Sequence, residues 1–256
     1  MKFTVDCNIL SKALESVQVK GKGTTSNGFG NTNFGTYADI VINGNNLSVW
    51  NANPTFCAKV DIQLEGETID GTVCVDSRTV IPYLKSFGDT VNVSVGDFIA
   101  MNSDNRKASI PKVVTHPNAD SLNRLKNMLS HINYEIQPQT LFTFGNAKFE
   151  GAFAVTQSQL KSAIKNCELV KSGIYKFDYN NNILTVSSRE NVMNKYEEVI
   201  TPVFPMGEPA TIEFSSAIYS FFEADQMLNI YMRDEFPLLV VSNDRILLKA
   251  PTINGD

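Results

Sequence analysis

Histidine and cysteine are scarce in this sequence, and each scarcity removes a class of function. The 256 residues include two histidines, His116 and His131, and neither has a cysteine or second histidine at the short spacings of a metal site. A Ser-His-Asp mechanism has to recruit one of the same two residues. Spacing indicates no carboxylate pair, and Asp76, Asp89, Asp234 and Asp244 read as caps and turns. Cys7, Cys57, Cys74 and Cys167 are scattered without CxxC spacing, which suits buried thiols in a reducing compartment better than a disulfide framework. No apolar run approaches the ~20 residues needed to span a membrane. The opening Met1-Lys2-Phe3-Thr4-Val5-Asp6 reads as a strand and not as a signal peptide. No catalytic residue, metal or cofactor is expected.

Positive charge is also in short supply. The net charge is −5, which taken globally argues against a conventional nucleic-acid binder. The Gly21-Lys22-Gly23-Thr24-Thr25 run superficially suggests phosphate binding, but it lacks the GxxxxGK[ST] order. With the Gly, Asn and Thr around it, from Gly21 to Gly35, it reads as a mobile loop.

What the chain does contain is a repeat. Phe3-x-Val5-x4-Leu10-x2-Ala13-Leu14 is matched by Phe153-x-Val155-x4-Leu160-x2-Ala163-Ile164 at a constant offset of 150. Each copy predicts a strand followed by an amphipathic helix, at Asn8 to Val17 and Ser158 to Cys167. Ile40-x-Ile42-Asn43-Gly44-Asn45-x-Leu47-Ser48-Val49 is echoed by Phe177-x-Tyr179-Asn180-Asn181-Asn182-x-Leu184-Thr185-Val186, apolar alternations broken by the Asn/Gly signal of a hairpin. Val80-Ile81-x-Tyr83-Leu84 faces Ile218-Tyr219-x-Phe221-Phe222; each follows a strand-like run with Ser or Asp as a candidate N-cap. The order strand, helix, strands, helix, strands therefore occurs twice, and the fold class is α+β with two similar domains.

A length of 256 residues suits two domains of roughly 110–130 residues each. The predicted division is 1–112, a connector over 113–150 and 151–256. Within the connector, Asp120 to Ile132 predicts a helix with Leu122, Leu125, Met128, Leu129 and Ile132 on one face. The helices carry the cations of interest. Lys161 and Lys165 lie one turn apart off the apolar stripe of their helix, Lys12 and Glu15 off that of the first, and Arg78 and Lys85 flank or sit in the helix at Thr79 to Phe87.

The repeat and the chain end together resemble a DNA sliding clamp, the family of proliferating cell nuclear antigen and the bacterial polymerase beta clamp. Met1-Lys2-Phe3-Thr4-Val5 with Leu10 and Ala13 resembles a clamp's opening strand and helix. Phe214-Ser215-Ser216-Ala217-Ile218-Tyr219-Ser220-Phe221-Phe222 is similar to the nuclear antigen's last helix. Phe236-Pro237-Leu238-Leu239-Val240 and Leu247-Leu248-Lys249-Ala250-Pro251 resemble its closing hairpin and terminal Leu-Ala-Pro.

The resemblance implies a clamp fold with antiparallel sheets outside and two short helices inside each domain, three copies closing a six-domain ring. It implies that Lys12, Arg78, Lys85, Lys161 and Lys165 face duplex DNA without reading sequence. A partner-peptide pocket is implied at Ala52, Phe56, Pro237, Leu248, Ala250 and Pro251. A subunit joint is implied between an edge strand bearing Arg106, Ala108 and Ile110 and another bearing Leu184 and Val186. The implied partners are DNA polymerase and a clamp loader, with no membrane. The implied location is intracellular: cytoplasm or nucleoid, or the nucleus or an infected host cell for a eukaryotic or viral source. Two departures from the nuclear antigen stand out, Lys249 at an apolar position and a longer middle segment. The competing reading is a non-catalytic duplicated α+β binding module, such as a viral accessory or structural protein that does not encircle DNA.

Overall fold

The computed structural model describes residues 1–18, 34–130, 132, 143–144, 147–190 and 193–252. The predicted loop from Gly21 lies outside the described residues up to position 33, and so do His131, Pro138 and most of 133–146. The chain divides into two compact units, one of 1–53 with 57–123 and the other of 54–56 with 124–256. The stretch predicted as a connector is shared between them, 113–123 going with the first and 124–150 with the second.

In unit 1, β1 (Lys2–Asp6) runs into α1 (Cys7–Ser16), followed by β2 (Tyr37–Asn43), β3 (Asn46–Asn53), β4 (Phe56–Gln63) and β5 (Gly71–Asp76). Then come α2 (Ser77–Phe87), β6 (Thr90–Val95), β7 (Phe98–Asn102) and β8 (Lys107–Pro111). One antiparallel sheet has the order β1-β6-β7-β8, and a second run has the order β4-β3-β2-β5. Both helices start where a strand delivers an acidic cap. Asp6 Oδ1 accepts from the Asn8 N–H at 2.8 Å and the Ile9 N–H at 3.0 Å, and Asp76 Oδ1 accepts from the Arg78 N–H at 3.1 Å. Each cap satisfies N–H groups that the helix cannot. Pro82 sits inside α2 on its exposed face, where the missing N–H removes one helical bond. Phe3, Leu10, Ile40, Val80, Leu84, Val93 and Met101 fill the core.

The connector helix α3 (Ala119–Ser130) follows, then the short β9 (Thr143–Phe144) and β10 (Ala147–Lys148). The predicted apolar face holds: Leu122, Leu129 and Ile132 are buried, and Leu125 and Met128 half-buried.

Unit 2 repeats the plan. β11 (Gly151–Thr156) and α4 (Gln157–Cys167) precede β12 (Ile174–Asn180), β13 (Ile183–Arg189), β14 (Lys195–Ile200), β15 (Val203–Gly207) and β16 (Ala210–Ser215). The unit closes with β17 (Met227–Met232), β18 (Leu238–Val241) and β19 (Arg245–Lys249). Its sheets have the orders β15-β11-β17-β18-β19 and β14-β13-β12-β16. Thr156 and Gln159 form the capping box of α4. The matched apolar residues of the repeat, Phe3 and Phe153, Val5 and Val155, Leu10 and Leu160, Ala13 and Ala163, Leu14 and Ile164, are all buried. Both predicted hairpins form with different turns. Gly44 alone takes positive φ (56°) in the first, whereas Asn181 (51°) and Asn182 (61°) both do in the second, the patterns of types II′ and I′. Gly151 is required by space, because a Cβ there would stand 2.7 Å from the ring of Tyr179, which stacks on Phe153 at 4.8 Å.

Among the described residues of unit 2 the expected second helix does not form. After β16 only Tyr219–Phe221 turns, as a single 3-10 element with no side-chain cap. Ser216, two residues before Ile218, takes φ 72°, whereas an N-cap residue holds extended backbone. The loop is held from outside instead. Arg245 is buried and donates to the Phe221 carbonyl at 2.8 Å and to Glu223 Oε1 at 2.7 Å, doing with a side chain what a helical ladder does with main chain.

Candidate functional site

In unit 1, α1 and α2 pack together, and their predicted cations are unequal. Lys85 Nζ lies 2.8 Å from Glu15 Oε1, both side chains well exposed. Arg78 grips Asp76 with two nitrogens, Nη2 to Oδ2 at 2.7 Å and Nε to Oδ1 at 3.1 Å. Burial works to raise the Asp76 carboxyl, but hydrogen bonds from Arg78 outweigh it and hold the group below its ordinary value. Lys12 is exposed on α1, and no ion pair to it forms among the described residues. In unit 2, α4 packs on β13 and β14. Its outer face offers Lys161, half-buried, and Lys165, exposed, followed by the exposed Lys171. No ion pair to these three forms among the described residues.

Of the residues assigned to a peptide pocket, Pro237, Ala250, Pro251 and Phe56 all belong to unit 2 and are half-buried. The Leu238↔Lys249 pairing places Pro237 beside Ala250, and the Ala250 N–H donates to the Thr55 carbonyl at 2.8 Å, bringing in Phe56. Leu248 is only 3% exposed and pairs with Leu239 inside the hairpin. Ala52 is 0% exposed and belongs to unit 1. Lys249 is buried, and desolvation pushes its ammonium below the ordinary value.

The assembly residues divide. Arg106, Ala108 and Ile110 lie on or beside β8, which ends its sheet. Leu184 and Val186 are not on an edge strand, which corrects the sequence expectation. They belong to β13, which is paired with β12 on one side and β14 on the other, and both side chains are 0% exposed. That sheet ends in β14 beside β13 and in β16 on the far side, and on β16 the Thr211 N–H and the Glu213 carbonyl are taken by Asp234 and the Thr252 N–H. The expectation came from the family resemblance, and the regular alternation of Leu184 and Val186 marks a strand with a buried face, not a free edge. The charges of Lys195, Glu197 and Glu198 were the available signal, since edge strands carry charge to discourage indiscriminate pairing.

His116, the described histidine, is buried and accepts the Asn118 N–H at its Nδ1 at 3.0 Å. Among the described residues no group of three or more His, Cys, Asp or Glu gathers at metal-binding distance. No helix of the described residues is long and apolar enough to cross a membrane.

A duplicated α+β scaffold of antiparallel sheets with short helices packed against them defines an architectural class that solved structures name. A DNA polymerase III beta subunit from Thermotoga maritima matches 100% of this chain and 66% of its own, with a TM-score of 0.72 at 14% identity. A putative beta subunit from Eubacterium rectale matches with a TM-score of 0.75 at 12% identity, again over 100% of this chain and 66% of that one. The A. fulgidus PCNA bound to the C-terminal region of FEN-1 matches over 100% of this chain and 99% of that chain, with a TM-score of 0.70 at 14% identity. The fold is therefore the DNA sliding-clamp fold. This chain spans about two thirds of the length of the beta subunits it matches. No family model and no curated protein matches the sequence.

Proposed function

We propose that this chain is a ring-forming processivity clamp that encircles duplex DNA and tethers a polymerase and other replication or repair proteins. The observation that carries the reading is the doubling itself. The same strand and helix, built on Phe3 to Leu14 and on Phe153 to Ile164, is buried the same way in both units, and the likeness to the A. fulgidus PCNA covers the whole of this chain. Two units per chain favour three copies per ring. Each unit has a terminal sheet strand, β8 and β14, through which copies can add head to tail.

In this reading the helices of both units line the hole, and Lys12, Arg78, Lys85, Lys161 and Lys165 meet phosphate. Each neutralised phosphate contributes a salt slope of roughly −0.9, so few and weak contacts suit a protein that slides. Topology retains the ring, which reconciles a net charge of −5 with a DNA function. The role requires no catalytic step. A Helicobacter pylori beta clamp is bound to a DNA ligase peptide in its solved structure. By analogy, the group of Phe56, Pro237, Ala250 and Pro251 is the place for a partner's short apolar segment, and a clamp loader opens the ring.

The test is retention at moderate salt on closed circular DNA and on the same DNA linearised. A clamp stays on the circle and runs off the ends. Equal retention on both forms rejects encirclement and favours a binding module that does not surround DNA.

A further inference from the structure

We infer that copies of this chain join β8 to β14 in one antiparallel register, in which Lys107 lies opposite Glu197 and Arg106 opposite Glu198. The inference rests on the ring reading and adds to it the residues that set the alignment.

The main chain limits the choices first. In β8 the Ser103 N–H donates to the Arg106 carbonyl, and Ala108 and Ile110 face Met101 and Ile99. Antiparallel ladders alternate, so these even-numbered residues spend their N–H and C=O on β7, while Lys107 and Ser109 direct theirs outward and Pro111 directs only its carbonyl outward. In β14 the Glu190 N–H donates to the Asn194 carbonyl, and Tyr196, Glu198 and Ile200 face Ser188, Val186 and Leu184. Lys195, Glu197 and Val199 are then the outward residues. An antiparallel joint must match outward residues with outward residues, so the allowed registers differ by steps of two.

Charge selects among them. With Lys107 opposite Glu197, Arg106 falls opposite Glu198 and Ser109 opposite Lys195. Both cations at the head of β8 then meet both carboxylates of β14, one pair on each face of the joined sheet. One step in one direction sets Lys107 against Lys195, and like charges directly opposite disfavour pairing. One step in the other sets Lys107 against Val199 and leaves Glu198 opposite Ala108. Glu198 is already positioned, because its Oε2 accepts from Asn166 Nδ2 at 2.9 Å and the Tyr196 hydroxyl at 3.0 Å. Pro111 has no N–H to offer, and in this register it lies past Lys195, where the ladder ends and nothing is lost. The two strands differ, so each copy presents a β8 edge to one neighbour and a β14 edge to the other.

Two measurements on the full chain test this. In the first, light scattering across a concentration series follows association of Lys107→Glu, of Glu197→Lys and of the two together. Each single reversal is expected to weaken association at least tenfold, and the double reversal to restore it. In the second, Ser109→Cys with Lys195→Cys is compared under mild oxidation with Ser109→Cys with Glu197→Cys. The first pair is expected to link copies covalently. Preferential linking of the second pair, or association indifferent to all three charge variants, overturns the register while leaving the ring reading to the DNA retention test. A chain that stays monomeric at about 100 micromolar overturns both.

Discussion

Glu15 on α1 holds Lys85 on α2 at 2.8 Å, while Lys161 and Lys165 on α4 have no acidic partner among the described residues. The repeat is a symmetry of buried residues, and its outer faces have diverged. A phosphate approaching α1 and α2 has to compete with a carboxylate already seated there, whereas α4 presents its ammonium groups directly.

DNA contact is therefore expected to be uneven. Lys161→Ala with Lys165→Ala should reduce the steepness of log affinity against log salt by about 2, close to 0.9 per lost phosphate contact. Lys85→Ala should change it far less. Glu15→Gln should strengthen binding to linear duplex, because an exposed pair contributes only about 0–1 kcal/mol and its release leaves Lys85 for phosphate. Salt titrations by fluorescence anisotropy read all three. Equal slopes for the α4 double variant and Lys85→Ala would refute the asymmetry.

The Arg245 side chain has the task of the missing helix in unit 2. Its guanidinium is 6% exposed and reaches Glu223, Asp244 and the Phe221 carbonyl. Arg245→Met keeps the length and loses the hydrogen bonds, which should cost about 2–3 kcal/mol for charge-assisted bonds to a buried donor. Urea unfolding would show a lower midpoint with an unchanged slope. Lys161→Ala, on an outer face, should move the midpoint little.

Elements governed by side-chain periodicity were legible in the sequence. Leu10, Ala13 and Leu14, like Leu160, Ala163 and Ile164, fall on one helical stripe, and the structure buries them all. The Asn-rich breaks at Gly44 and Asn181 marked both hairpins for the same local reason. What failed depends on distant partners. Ile218 to Phe222 has helical spacing, yet Ser216 turns left-handed and Arg245, more than twenty residues later, holds the loop. Likewise Leu184 and Val186 show where a strand runs but not which strands flank it, and the nearer end of the sheet falls one strand away, on β14. The terminal Leu-Ala-Pro resemblance singled out Leu248, Ala250 and Pro251 together, but it does not separate the buried Leu248 from the half-buried Ala250 and Pro251.

Burial also gives unit 2 an alkaline limit. Burial, with a smaller contribution from the Glu198 carboxylate, pushes the Cys167 thiol up to about 11 from 9.0. Burial chiefly, helped by Glu168, pushes the Tyr175 phenol up to about 12 from 10.0. Both groups are kept protonated in the fold while the unfolded chain ionises. Their stabilising contribution is whole below pH about 9, falls as pH rises through about 11 for Cys167 and about 12 for Tyr175, and does not return. Denaturation midpoints measured between pH 8 and 11 should decline, and Cys167→Ala should lose part of that decline even if less stable throughout. An identical pH profile in the variant would refute the assignment.

The separation of core from surface at the closing hairpin decides how the tether should be probed. Leu248 is 3% exposed and packed in the β18–β19 hairpin, so Leu248→Ala removes buried methyl groups and should cost about 2–5 kcal/mol. A charged residue there costs more and disrupts unit 2, so any loss of polymerase stimulation would report unfolding and not a lost contact. Phe56 and Pro237 are half-buried near Ala250, and each can be cut back with the sheet ladder left in place. Phe56→Ala is expected to lower polymerase stimulation at least tenfold at limiting polymerase, with the thermal midpoint falling by only a few degrees and retention on circular DNA unchanged. Loss of retention together with stimulation would mean that Phe56 serves the scaffold, and full stimulation would place the partner's segment elsewhere on unit 2. Only a loss of stimulation with the ring intact supports a peptide seat at this end of the sheet.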